Sequence, residues 1–124
     1  MTLEEFMRLP TQEDWDRELA AGWDGPDGSS CSTDAIFGVT IGVTSASHEH
    51  CALAANLHDW RYRLGRENGL SDKFRRKADK AYRDDCIEAT DATLESWWLR
   101  QLARGRAHSR YAALRSIGWM FFND

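Results

Sequence analysis

The chain of 124 residues has no apolar run long enough to cross a bilayer, since a membrane-spanning helix needs about 20 predominantly apolar residues. Its first residues also lack the basic start and apolar middle of a secretory signal peptide. These two absences predict a soluble protein that carries no export signal.

Cysteine is scarce, and Cys31, Cys51 and Cys86 do not have the spacing of a metal-binding knuckle. Three cysteines are too few for a disulfide scaffold, and any pairing leaves one thiol over. There is also no internal repeat and no low-complexity tract. A chain of this length has room for one hydrophobic core but not for a separate cofactor-binding lobe, so we expect a single domain over residues 1–124.

Charge is distributed unevenly along a chain whose formal net charge is −4. Residues 1–35 carry nine acidic side chains against Arg8 and Arg17, whereas residues 96–123 carry five arginines, His108 and no acid. The arginines could contact the phosphates of nucleic acid or lipid, or they could form a solvated helix face. The acidity of the whole chain argues against nucleic acid as the partner.

Hydrophobic periodicity predicts a mainly helical fold built on an antiparallel hairpin of two helices, over residues 47–64 and 72–89. Gly65, Gly69 and Ser71 separate these helices. Further helices are predicted in the C-terminal part of the chain, one of them ended by Gly105.

The N-terminal part predicts shorter elements. Thr11 can cap a helix that Gly22 ends, with Trp15 and Leu19 as its buried stripe. Residues 37–43 alternate apolar side chains with glycine and threonine, which fits a short strand or an extended loop equally well.

The register of the predicted hairpin can be tested by arithmetic, because residues at one level of two antiparallel helices have a constant sum of residue numbers. Placing His58 opposite Asp79 sets small Ala55 against large Tyr82. The same register sets Cys51 against Cys86, close enough for the thiols to contact, and leaves their redox state open.

These residues predict a candidate site. A histidine held by a buried carboxylate can act as a general base, which suggests that Asp79 orients His58, although a structural hydrogen-bonded cluster would use the same residues. Asp59 is turned about 100° around the helix from His58 and can point toward the segment from Gly38 to Gly42. A carboxylate with backbone carbonyls is a ligand set that suits calcium.

The pattern His58-Asp59-x-x-Tyr62, with Asp79 on the antiparallel neighbour, resembles the secreted calcium-dependent phospholipases of the A-two type, and the parvovirus capsid version in particular. This resemblance implies that His58 activates water, that Asp79 orients it and that Tyr62 is a supporting hydrogen-bond donor. It implies a calcium ion bound by Asp59 and by loop carbonyls, here those of Gly38 and Gly42. It also implies a disulfide between Cys51 and Cys86.

A second resemblance covers roughly residues 25 to 120. Its most characteristic element is Tyr111-x-x-x-Arg115-x-x-Gly118-Trp119, which the phospholipases lack. With the His-Asp helix, this element is similar to a family of small bacteriophage and prophage proteins of unknown function. The resemblance implies a phage origin and no particular activity.

Three functions therefore stand as hypotheses. The first is calcium-dependent hydrolysis of lipid esters at a phospholipid surface. The second is a catalytically silent structural or accessory protein that docks on other phage virion proteins and could form oligomers through its aromatic C terminus, residues 119–122. The third is an inhibitor directed at the host. A place on the virion and a place in the host cytoplasm both fit these hypotheses.

Overall fold

A computed structural model describes residues 1–26, 52–93 and 96–122, and every regular element within these ranges is a helix. The helices in chain order are α1 (Leu3–Met7), α2 (Gln12–Ala20), α3 (Ala52–Asn68), α4 (Asp72–Thr93), α5 (Trp97–Ile117) and α6 (Trp119–Phe122). The predicted mainly helical fold is confirmed. The segment predicted as strand or loop lies outside the described residues. No helix in the described ranges is both long and apolar enough to cross a membrane.

Helix α4 is the central element, because it packs against both α3 and α5. Small side chains on its neighbours allow close approach at two points, where Ala54 and Ala55 of α3 and Ala107 of α5 share a buried cluster with Tyr82 and Cys86 of α4. Ala55 and Tyr82 therefore meet in one cluster, as the predicted register requires.

Both N-terminal helices begin at a threonine whose side chain caps the helix. The Thr2 side chain accepts the backbone N–H of Glu5, and the Thr11 side chain accepts that of Asp14, while each carboxylate accepts the threonine N–H in return. This reciprocal capping box satisfies two backbone donors that would otherwise lack partners. The predicted cap at Thr11 is confirmed, and so is the end of α2 near Gly22, whose φ is 100°.

The buried face of α2 differs from the predicted one. Leu19 is exposed, whereas the residues that α2 buries are Asp14 and Glu18. Glu18 is buried because Arg63 of α3 donates to it at 3.2 Å. The interface between α2 and α3 is therefore partly ionic and partly aromatic, since the ring of Trp15 lies 5.1 Å from that of Trp60 on α3. The predicted apolar stripe is wrong at Leu19, whereas Trp15 is half-buried.

Asp14 makes the stability of the fold depend on pH. The Thr11 N–H, at 2.8 Å, and the Arg17 guanidinium, also at 2.8 Å, lower the pKa of Asp14 to about 2. We expect Asp14→Asn to cost about 1 kcal/mol of unfolding free energy near neutral pH, a typical contribution of a helix cap.

A lowered pKa stabilises the fold fully above the pKa of the unfolded state, about 4, and the stabilisation is lost as the pH falls through the folded value. The difference between wild type and Asp14→Asn in urea unfolding should therefore shrink between about pH 4 and about pH 2. A difference that stays constant over this range would show that the charge of Asp14 contributes nothing.

The turn between α3 and α4 depends on Gly69, whose φ of 58° is in the left-handed region. The Leu70 N–H donates to the Gly65 carbonyl at 3.0 Å, which is the long bond of a Schellman motif. Helix α3 thus continues to Asn68, beyond the predicted end at residue 64, and α4 likewise continues to Thr93, beyond residue 89. Gly65 lies inside α3, where the ring of Phe122 fills the space that a side chain would take.

The C-terminal part contains one long helix where two were predicted, since α5 continues through Gly105. Gly118 ends α5, and the short α6 turns back to bury Phe122 in a second core cluster with Phe6 and Tyr62. The ring of Phe122 lies edge-on to both, with centroid distances of 6.5 Å to Phe6 and 5.2 Å to Tyr62.

Candidate functional site

Two helices contribute the centre of the candidate site. His58 and Tyr62 are four residues apart on α3 and so share a face, and that face meets Asp79 on α4. Nε2 of His58 lies 2.8 Å from Oδ1 of Asp79, and the Tyr62 hydroxyl donates to the same oxygen at 2.6 Å. Asp79 is fully buried and His58 is 2 % exposed. The structure thus brings together the three residues predicted as the catalytic group.

A third helix supplies charge to the other oxygen of Asp79. Nη1 of Arg115, on α5, donates to Oδ2 at 3.3 Å, and Nη1 of Arg75 lies 3.7 Å from it. Arg75 also donates to the Leu114 carbonyl at 2.8 Å, which satisfies a backbone acceptor near the end of α5. Asp72 pairs with both arginines, and although burial raises its pKa, these hydrogen bonds lower it overall.

The hydrogen-bond partners determine which ring nitrogen of His58 carries the proton. Asp79 accepts from the Tyr62 hydroxyl and from Arg115, as an ionised carboxylate does, and an ionised carboxylate cannot donate. Nε2 must therefore donate to Asp79, which leaves the lone pair of a neutral imidazole on Nδ1.

The surroundings of His58 are aromatic. Its ring centroid lies 4.2 Å from that of Tyr62 and 5.3 Å from that of Tyr82. Burial, reinforced by the nearby Asp79 charge, raises the pKa of Tyr62, so its phenol stays a donor. A base in such buried surroundings works at low dielectric, where a fixed carboxylate stabilises an imidazolium more strongly than in water.

The predicted calcium ligands are only partly described. Asp59 is half-buried on α3, and because it is turned about 100° from His58 it does not compete with Asp79 for the imidazole. Gly38 and Gly42 lie outside the described residues. Within those residues no group of three histidine, cysteine or carboxylate side chains could hold a metal ion.

The predicted thiol pair also falls partly outside the described ranges. Cys86 is buried beside Tyr82 in the core of the hairpin, whereas Cys51 lies outside the described residues. The disulfide that the phospholipase resemblance implies therefore stays a prediction.

Arg75 and Arg115 were not among the predicted site residues. The position of Arg75, four residues before Asp79 on a helix, is a signal that could have identified it. Arg115 and Gly118 both belong to the C-terminal element Tyr111-x-x-x-Arg115-x-x-Gly118-Trp119. A Cβ at Gly118 would overlap the Tyr62 hydroxyl and lie 3.1 Å from Nη1 of Arg75, so this glycine makes room for the site.

Comparisons of the chain with protein-family models, with curated proteins and with solved structures found no match. The hydrogen-bonded group of His58, Tyr62, Asp79, Arg75 and Arg115, called the His–Asp network below, is therefore the basis for a functional proposal.

Proposed function

We propose that this protein hydrolyses lipid esters, with His58 as the general base. The observation that supports this most directly is the buried bond of 2.8 Å between Nε2 of His58 and Oδ1 of Asp79. Because Nε2 is held as a donor, Nδ1 can take a proton from water as that water attacks an ester carbonyl. Asp79 fixes the tautomer and stabilises the imidazolium that forms, while Tyr62 and Arg115 hold Asp79 in place.

The proposal includes calcium, with Asp59 as one ligand and the carbonyls of Gly38 and Gly42 as others. The carboxylate of Asp59 is of the right chemical class, and its position one residue after His58 would put a bound ion near the base. A bound calcium ion would polarise the ester carbonyl as a Lewis acid. The roles proposed for Tyr62, Asp79 and Arg115 do not depend on a metal ion, because these residues position His58 by hydrogen bonds alone.

Release of fatty acid from mixed phospholipid vesicles tests the proposal. The wild type should release fatty acid with calcium and much less with a chelator. His58→Ala should lower the rate by about 10²–10⁴-fold, the usual contribution of a positioned general base.

His108→Ala is the matched control, because His108 is an exposed histidine on α5, outside the His–Asp network. It should leave the rate unchanged. Equal rates for wild type and a folded His58→Ala variant would show that the proposed hydrolase function is wrong.

A second candidate function, docking on other virion proteins, is supported by different observations. The rings of Trp97 and Trp98 pack edge-on at 5.1 Å and are 61 % and 71 % exposed. Trp119 and Met120 are exposed as well. Large exposed apolar side chains often mark a binding surface. In that case the His–Asp network would serve as a scaffold, and the folded wild type would release no fatty acid.

A further inference from the structure

Helix α4 carries four cationic side chains on one exposed face. Lys73 and Lys77, like Arg76 and Lys80, are four residues apart and so share one side of the helix, and all four side chains line a shallow depression in the surface. All four are exposed, and the row they form is about 10 Å long. We call this row the cationic face.

The choice of residues on the cationic face is unusual for this chain. Its 16 cationic residues include only three lysines, and all three lie on this face. Elsewhere arginine binds carboxylates in fixed geometry, as Arg104 does with Asp91 and Arg115 does with Asp72. Arginine presents a rigid fork that suits such pairs, whereas lysine is a compact hydrated charge on a flexible stem. The cationic face is therefore suited to anions whose positions are not fixed.

The positive charge of the cationic face is poorly neutralised. Within the described residues, its one ion pair is between Arg76 and Asp72, at 3.8 Å and with both side chains largely exposed. Lys73 lies four residues before Lys77, and Arg76 four residues before Lys80, and like charges at this spacing destabilise a helix. A chain with a net charge of −4 thus has a concentrated positive surface on α4, although the repulsion between these cations lowers the stability of the helix.

We propose that the cationic face docks the protein on an anionic phospholipid surface. Clusters of four or more cations on a helix attract anionic headgroups, which can diffuse laterally to match them. Nucleic acid fits less well, because its fixed phosphates favour arginine and the chain is acidic overall.

Docking would also place the candidate site near its substrate layer. Asp79, which binds His58, and Lys80 are adjacent residues of α4, turned about 100° from each other around the helix axis. Docking through the cationic face would therefore hold the helix that carries Asp79 at the bilayer. The idea that the cationic face brings substrate to the site rests on the proposed hydrolase function. Binding of the protein to vesicles can nevertheless be measured without any hydrolysis.

Cosedimentation of the full chain with vesicles tests the docking. We expect binding to phosphatidylcholine vesicles that contain phosphatidylglycerol, weakening with added salt, and little binding to phosphatidylcholine alone. Because each cation near such a surface contributes about fivefold to binding, the double variant Lys77→Gln with Lys80→Gln should bind about thirtyfold less tightly. Its thermal midpoint should be equal to or above that of the wild type, since repulsion along α4 is relieved.

The matched control is the double variant Arg8→Gln with Arg17→Gln, which removes the same charge from exposed side chains elsewhere. It should bind within about twofold of the wild type, because neither arginine belongs to the cationic face. Equal losses for the two double variants, or no binding to the mixed vesicles, would overturn the proposal. Binding to a DNA duplex that the lysine variant loses, without vesicle binding, would also overturn it and assign the face to nucleic acid.

The two proposals fail in distinguishable ways. Lysine-dependent vesicle binding without fatty acid release would support docking and reject the hydrolase. Fatty acid release that the lysine variant retains in full, on the same anionic vesicles, would support the hydrolase and reject docking.

Discussion

Asp79→Asn is expected to destabilise the fold by about 3–5 kcal/mol, because it removes one partner of a buried ionic group. The asparagine keeps the shape of the side chain but loses the charge that Arg75 and Arg115 face. Its amide also presents donors where Tyr62 and His58 already donate to Asp79. Urea unfolding near neutral pH would measure the loss, and fatty acid release should fall with it because His58 loses its orienting group.

Asp91→Asn provides the matched control on the same helix. Asp91 also accepts hydrogen bonds from an arginine of α5, Arg104, but both side chains are more than a third exposed. Exposed pairs contribute little to stability, so the loss should be far smaller than at Asp79. Losses of the same size at the two positions would mean that burial adds nothing to the His–Asp network.

Gly118→Ala is expected to destabilise the fold by about 2–3 kcal/mol, within the range for overpacking a well-packed site. The dihedral angles of Gly118 are not the cause, since φ of −59° and ψ of −23° suit alanine. The added methyl would instead overlap both the Leu114 carbonyl oxygen and the Tyr62 hydroxyl, and it would crowd the Arg75 guanidinium. Thermal unfolding checks this, and the hydrogen bond from Tyr62 to Asp79 should weaken in the variant.

The same substitution at Gly105 should have the opposite sign. Gly105 lies inside α5 with open space where a Cβ would be, so alanine there should stabilise the fold by about 0.5–1 kcal/mol.

In a Tyr62→Phe background, which lacks the hydroxyl, Gly118→Ala should be less harmful than in the wild type. An equal loss in both backgrounds would place the strain elsewhere.

The sequence predicted the hairpin and its register because the signals are local. A stripe of small and aromatic residues with one histidine on α3, and a similar stripe with one aspartate on α4, can be buried together in few ways. Short connections also limit how two helices can pair. The register was set by placing His58 opposite Asp79, and the structure confirms that contact, whereas the catalytic role of this pair stays a prediction.

The sequence could not predict the arginines of α5, because burial of a charge depends on partners far along the chain. The solvated face considered for these residues is wrong for Arg106 and Arg110, which are buried, and for Arg115, which pairs with Asp72 and Asp79. Gly105 was misinterpreted for a related reason. Helix propensity is a weak prior, and packing along α5 outweighs one glycine.

The polar junction of α3, α4 and α5 also constrains how this sequence can diverge. Asp72, Arg75, Asp79 and Arg115 form a chain of opposite charges that runs from half-exposed Asp72 to fully buried Asp79, and the loss of any one leaves its neighbours unbalanced. Replacement of the whole group by apolar residues of similar volume can be neutral, whereas a single replacement is harmful. Evolutionary drift at these four positions should therefore be concerted, with descendants of this chain keeping all four charges or exchanging them together.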